Sequence, residues 1–179
     1  VQLLDALSVL HENDYLHRNI KPENIYLCKT GRPLLIDFGA SKQALAHKMG
    51  NLNLSLSSGF APKEQYSGRR SLNPCIDIYA ISATLYYAAT GKKPTAALER
   101  GEARDEGHYD PLPSAVDEGK NNYREEFLKV IDLGLAYLPK ERPQSIDEFK
   151  KILIEQQYQN RKKFTAPRKI GPIPKMLLG

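Results

Sequence analysis

Two short polar segments hold the side chains most able to do chemistry. His17-Arg18-Asn19-Ile20-Lys21-Pro22-Glu23-Asn24 gathers an imidazole, two cations and two carboxamides. Asp37-Phe38-Gly39 follows after two strand-like runs. Cations suit anionic groups, and carboxylate or amide oxygens suit a hard cation. The Asn19 carboxamide carries no charge and is a very poor base. Aspartate-aromatic-glycine alone is also a common strand-exit turn. The ordered combination is what carries weight, together with Phe60-Ala61-Pro62-Lys63-Glu64, Asp77 and Arg142-Pro143 further along.

That combination resembles the protein kinase family. Residues 17–24 are similar to the catalytic loop H-R-D-x-K-P-x-N, 37–39 to the metal-binding D-F-G turn, and 60–64 to the A-P-E end of the activation segment. A kinase must bring one group to the acceptor hydroxyl and others to a metal ion, and a hairpin between Asn24 and Asp37 fits that layout. Lys21, two residues after Asn19, resembles the serine/threonine type.

The resemblance implies specific roles. Asn19 stands at the position of the general base, Lys21 would contact the transferring phosphate, and Ser57 would line the acceptor site. Asn24 and Asp37 would hold magnesium together with ATP phosphates; the alternative is that both cap turns. Glu64 would pair with Arg142, and Asp77 would hold the backbone of the loop containing His17 and Arg18. Phe38 and Gly39 complete the turn after Asp37. Arg18 would meet a phosphate placed on Ser55, Ser57 or Ser58; alternatively these serines are the polar content of a loop.

Three departures qualify the implied activity. Asn19 replaces an aspartate, and loss of a positioned base typically costs about 10²- to 10⁴-fold. The glycine-rich loop, the strand lysine and the helix glutamate of the kinase N-terminal lobe find no counterpart between Val1 and Gly179, so this chain alone is expected to transfer no phosphate. Pro62-Lys63-Glu64 and Leu56 differ from the usual acceptor-groove residues. The reading is a pseudokinase-type binding or regulatory module. A weakly active serine/threonine kinase portion and a nucleotide-independent scaffold are the alternatives.

The elements that must position these residues are mostly helical. Leu3, Leu4, Leu7 and Leu10 predict a helix from Val1 to about Leu10, ended by the polar run 11–14. Ile25–Cys28 and Pro33–Ile36, joined by Thr30-Gly31, read as a β-hairpin. Residues 41–58 read as a loop. Asn73-Pro74 and Gly91 bracket a segment apolar on nearly every side, expected in the middle of a bundle. Residues 92–122 are expected to be surface loop with at best a short helix near Thr95–Arg100. Tyr123–Leu138 reads as an amphipathic helix stopped by Pro139, and Ser145 with Glu148 as a capping box for a last helix. The fold class is therefore α+β, predominantly α-helical: a kinase-like C-terminal lobe over 1–156, with a basic, proline-containing tail or linker over 157–179.

Composition excludes other classes. The 26 Lys and Arg against 21 Asp and Glu leave a modest excess concentrated near the end, without the basic face or reader motif of a nucleic-acid binder. Cys28 and Cys75 are far apart, without metal-ligand spacing, and read as reduced thiols of a cytoplasmic protein. No apolar run approaches the roughly 20 residues of a membrane helix. The expected partners are an N-terminal kinase lobe and a protein substrate or regulatory protein. Apolar side chains near Leu27 and Ile36 would be uncovered without that lobe.

Overall fold

The structure is a computed structural model that describes residues 1–37, 58–66 and 73–165, with side chains described as far as Glu155. Phe38, Gly39, Ser55, Leu56 and Ser57, most of the expected 41–58 loop, and the tail from Ala166 onward lie outside the described residues.

Helix α1, Gln2–Glu12, buries Leu4 and Leu7, with Leu3 and Leu10 packed beside them. It ends where Asp14 takes a left-handed conformation (φ 58°), which aspartate tolerates better than most residues. The amides of Asn13 and Tyr15 both donate to Leu10 O, at 3.1 and 3.0 Å. A 3-10 turn, Pro22–Asn24, leads into the hairpin of β1, Ile25–Leu27, and β2, Pro33–Leu35. The strands are antiparallel, with Ile25 opposite Leu35 and Tyr26 opposite Leu34. Ile25 and Leu35 pack against the core, whereas Tyr26 and Leu34 face outward. Gly31 supplies the positive φ (77°) that the turn requires.

After the short helix α2, Lys63–Tyr66, comes the central helix α3, Cys75–Thr90. The Asn73 side chain accepts from Cys75 N at 3.0 Å, and Gly91 closes the helix in the left-handed conformation with its amide on Tyr87 O. The helix is apolar all round because it separates two clusters. Ile78, Ala80 and Ile81 pack with Leu4, Leu7, Ile20, Val130, Ile146 and Phe149. Tyr79, Ala83 and Tyr86 pack with Phe60, Ala115, Leu128, Ile131 and Leu135. Contact with the later helix Glu125–Gly134 is close enough that a Cβ on Gly134 would lie 1.9 Å from Ser82 Oγ.

The region 92–122 departs from the expected surface loop. Helix α4 spans Ala97–Asp105 and α5 spans Ala115–Gly119, and Ala97, Arg100 and Ala115 are buried. Both helices depend on distant partners. Arg100 bonds Asp110, Tyr79 OH and Leu135 O, while the Asp132 carboxylate accepts from Ala115 N at 2.6 Å and Val116 N at 3.2 Å. Local propensity does not report such tertiary caps.

Helix α6, Glu125–Gly134, is shorter at both ends than the expected Tyr123–Leu138, and a second 3-10 turn occupies Pro139–Glu141. Its end coincides with Leu135, whose carbonyl is held by Arg100. Helix α7 spans Ile146–Thr165 and buries Ile146, Phe149 and Leu153. Ser145 Oγ accepts from Glu148 N at 3.1 Å, but the Glu148 carboxylate reaches back to Gln144 N at 2.7 Å, one residue before the expected partner. Its backbone remains helical past Gln157, where the composition turns basic. No helix of the described residues is long and apolar enough to cross a membrane.

Candidate functional site

The site is anchored from beneath by Asp77 on α3, which is fully buried. Its Oδ2 accepts from His17 N at 2.8 Å and lies 2.8 Å from His11 Nε2; its Oδ1 accepts from Arg18 N at 2.8 Å. A carboxylate out of water requires such donors, since an uncompensated buried charge is costly. Arg18 adopts φ 64°, a strained value for a non-glycine residue, held by the carboxylate on its amide and by Gln65 Nε2 on its carbonyl at 2.7 Å. The 17–18 backbone is thus clamped between α3 and α2.

His11 and Gln65 complete this clamp and escaped the sequence reading. His11 follows Leu4 and Leu7 on the inward face of α1, so its helical spacing carried a signal that its polarity obscured. Gln65 offered no comparable sign.

His17 is buried beside this carboxylate. Burial pushes its imidazole pKa below the ordinary value, against the opposing pull of Asp77, Asp37 and a hydrogen bond with the Ile36 backbone. Its Nδ1 accepts from Asn19 N at 3.3 Å. A neutral ring unprotonated on Nδ1 is consistent with the Asn19 bond.

Asn19 is held through three different atoms. Besides its amide on His17, its carbonyl accepts from Asn24 Nδ2 at 2.8 Å, and its own Nδ2 donates to Asp37 Oδ2 at 3.0 Å. Ile36 N donates to Asn24 O at 2.9 Å, bringing the strand exit alongside the loop. The hairpin thereby joins Asn19, Asn24 and Asp37 in one hydrogen-bonded network. Asn24 is buried, Asp37 is exposed with φ 63°, and Lys21 is half-buried immediately before the 3-10 turn. The donor set that Asn24 and Asp37 present, an amide oxygen and a carboxylate, fits a hard divalent cation such as magnesium.

Glu64 on α2 lies against Arg142, which is almost fully buried. Arg142 Nη1 meets Glu64 Oε1 at 2.6 Å and Nη2 meets Oε2 at 3.4 Å. The same guanidinium donates to Ala136 O, Tyr137 O and Cys75 O and stacks on the Tyr79 ring, its Cζ 4.7 Å from the centroid. Such a planar fork satisfied on several sides is suited to a structural tie. It joins α2 to the start of α3 and the end of α6.

Ser58 is exposed, next to Gly59, whose φ of 87° and approach to Pro94 O leave no room for a Cβ. On the hairpin, Tyr26, Leu27, Leu34 and Ile36 are each exposed, with Leu27 68% and Ile36 45% exposed.

Residues 1–159 match the family model described as "Protein kinase domain", and the chain belongs to that family. It is 33% identical over 149 residues to serine/threonine-protein kinase PknA of Nostoc sp., covering 79% of this chain and 25% of that protein. It is 40% identical over 95 residues to serine/threonine-protein kinase F of Synechocystis sp., covering 51% of this chain and 19% of that protein. Among solved structures, the apo form of PpkA-294 superposes with a TM-score of 0.71 at 32% identity, covering 85% of this chain and 51% of that one. A mutant form of the Mycobacterium tuberculosis PknI kinase domain gives a TM-score of 0.61 at 23% identity, covering 87% of this chain and 51% of that one, and shares the fold. The chain thus spans about a quarter of the first of these curated relatives and half of the two solved chains. It is a serine/threonine protein kinase-like domain, with the α+β, mostly helical fold of a kinase C-terminal lobe.

Proposed function

We propose that this lobe is a pseudokinase-type binding or regulatory module, with the lower half of a nucleotide site but without competence for phosphoryl transfer as residues 1–179. The observation that carries the reading is Asn19: an uncharged amide occupies the position of the general base and donates to Asp37. A carboxamide cannot take the proton of an acceptor hydroxyl, although its oxygen can still orient that hydroxyl.

The remaining roles follow from the chain's own side chains. Asp37 and Asn24 would hold magnesium, which supplies charge neutralisation to ATP phosphates when bound. Lys21 would meet the transferred phosphate. Ser57, at the acceptor-site position, lies outside the described residues. Asp77 and His17 keep the loop backbone in register, and Glu64 with Arg142 keeps α2 against the helical core. Arg18 Nε is buried with no hydrogen-bond partner among the described residues, which supports its meeting a phosphate on Ser55, Ser57 or Ser58.

The uncovered hairpin residues Leu27 and Ile36 support contact with a kinase N-terminal lobe. The composition and the reduced thiols support a cytoplasmic location. A weakly active enzyme is the second reading, favoured by the joined placement of Asn24 and Asp37.

The test uses a longer protein in which these residues follow a phosphate-binding N-terminal lobe. Magnesium-dependent ATP binding without transfer supports the module. Measurable transfer by the unaltered sequence supports the weak enzyme, and absence of nucleotide binding supports a nucleotide-independent scaffold.

A further inference from the structure

The geometry points to a second role for Asn19, which we infer to be a metal-independent brace that holds the catalytic loop to Asp37. The inference rests on the reading of Asp37 as a metal ligand given above. Its physical basis is the direction of one bond: Asn19 Nδ2 donates to Asp37 Oδ2 at 3.0 Å. An ionised aspartate at position 19 has no proton to donate, and would set two like charges at this distance. Such a pair repels, and turns apart into water unless something positive lies between or beside it. The carboxamide removes that repulsion.

The other bonds of Asn19 turn this contact into a brace. Its carbonyl receives Asn24 Nδ2 at 2.8 Å and its amide donates to His17 Nδ1 at 3.3 Å, so one residue ties the buried His17, the Asn24 ligand position and the Asp37 ligand position together. Ile36 N on Asn24 O at 2.9 Å closes the circuit through the backbone. With an aspartate at position 19, the backbone bonds would remain but the direct side-chain tie to Asp37 would be lost, and a cation between the two carboxylates would be what restores it. In this chain the amide joins them directly, and the site keeps its shape without a cation. Substituting the base therefore does more than remove a proton acceptor: it makes the shape of the loop independent of metal.

Hydrogen exchange of the full 179-residue chain, followed by NMR in ATP with EDTA and again in ATP with excess magnesium, tests this. In the unaltered protein the Asn19, Asn24 and Ile36 amides are expected to exchange at the same rate in both conditions. Asn19→Leu, similar in shape but unable to donate, is expected to raise those rates about three- to tenfold in both, the range of one lost hydrogen bond. Asn19→Asp is expected to raise them in EDTA and to recover in magnesium. The α3 amides of Tyr79 to Ala83 report whether each variant is folded, and are expected to stay protected throughout.

Unchanged loop rates in Asn19→Leu, or full protection of Asn19→Asp in EDTA, would overturn the brace. Magnesium-dependent protection in the unaltered protein would overturn its metal independence. Loss of protection in Asn19→Asp without recovery in magnesium would support the brace and overturn the assignment of Asp37 as a metal ligand, separating the two ideas.

Discussion

Asp77 Oδ2 lies 2.8 Å from both His17 N and His11 Nε2, so a single buried oxygen joins the first helix, the central helix and the loop that carries the candidate site. The loop is held on its backbone, which leaves the side chains of Asn19, Lys21 and Asn24 to face their own tasks. Stability and site geometry are therefore linked through one carboxylate.

Replacing Asp77 by Asn is expected to cost about 3–5 kcal/mol of unfolding free energy, because an amide NH2 would face amide donors in a buried site. His11→Leu, which leaves the carboxylate two backbone donors, is expected to cost less, about 1–2 kcal/mol. Urea unfolding of the two variants measures both. Equal losses would contradict the ranking.

The close passage of α6 over α3 supplies a second prediction. Gly134→Ala places a Cβ 1.9 Å from Ser82 Oγ and is expected to cost about 1–3 kcal/mol through overpacking. Ser82 Oγ is buried with no hydrogen-bond partner among the described residues, so Ser82→Ala is expected to be neutral or slightly stabilising. Removing Oγ leaves the Ser82 Cβ still 2.8 Å away, so the double variant should recover only part of the loss. A double-mutant cycle reads this coupling directly.

Protonation of His17 opposes folding. Its folded-state pKa lies below the ordinary 6.5 because burial penalises the cation, so below pH 6.5 the unfolded chain binds more protons than the folded one. The His17 contribution to stability is complete above pH 6.5 and is lost progressively as pH falls towards the folded-state pKa. Thermal melts between pH 7.5 and about 5 should show a falling Tm, with a shallower fall in His17→Gln. Identical slopes in the two proteins would count against this origin.

Much of the site was legible because its chemistry depends on residues close in sequence. The 17–24 segment, Asp37 and the hairpin between them announce their types and spacing directly, and the full apolarity of 75–90 marked a helix buried on all sides. The unread parts depend on distance. Helix α4 is secured by Arg100, whose guanidinium bonds Asp110 at 2.7 Å, Leu135 O at 3.0 Å and Tyr79 OH at 3.2 Å. Helix α5 is capped by Asp132 from α6. In a window rich in proline and glycine those partners are invisible, and the region reads as loop. The direction of the Asn19–Asp37 bond was equally hidden, since composition identifies an amide but not which of its atoms faces the carboxylate.

The Arg100–Asp110 pair should behave as an architectural element. Burial acts to raise the Asp110 pKa, but bonds from Arg100 and Leu112 N hold it below the ordinary carboxylate value. Arg100→Met strands a half-buried carboxylate and is expected to cost about 3 kcal/mol, with loss of helical circular dichroism from α4. Retention of wild-type stability would show that α4 does not depend on this pair.

The most direct test of the central claim is the phosphoryl-transfer rate of Asn19→Asp relative to the unaltered sequence, both carried behind the same N-terminal lobe and saturated with ATP and magnesium. If Asn19 impairs transfer by replacing the general base, the aspartate variant should be faster by about 10²- to 10⁴-fold. Equal rates, with ATP bound equally by both, would contradict it.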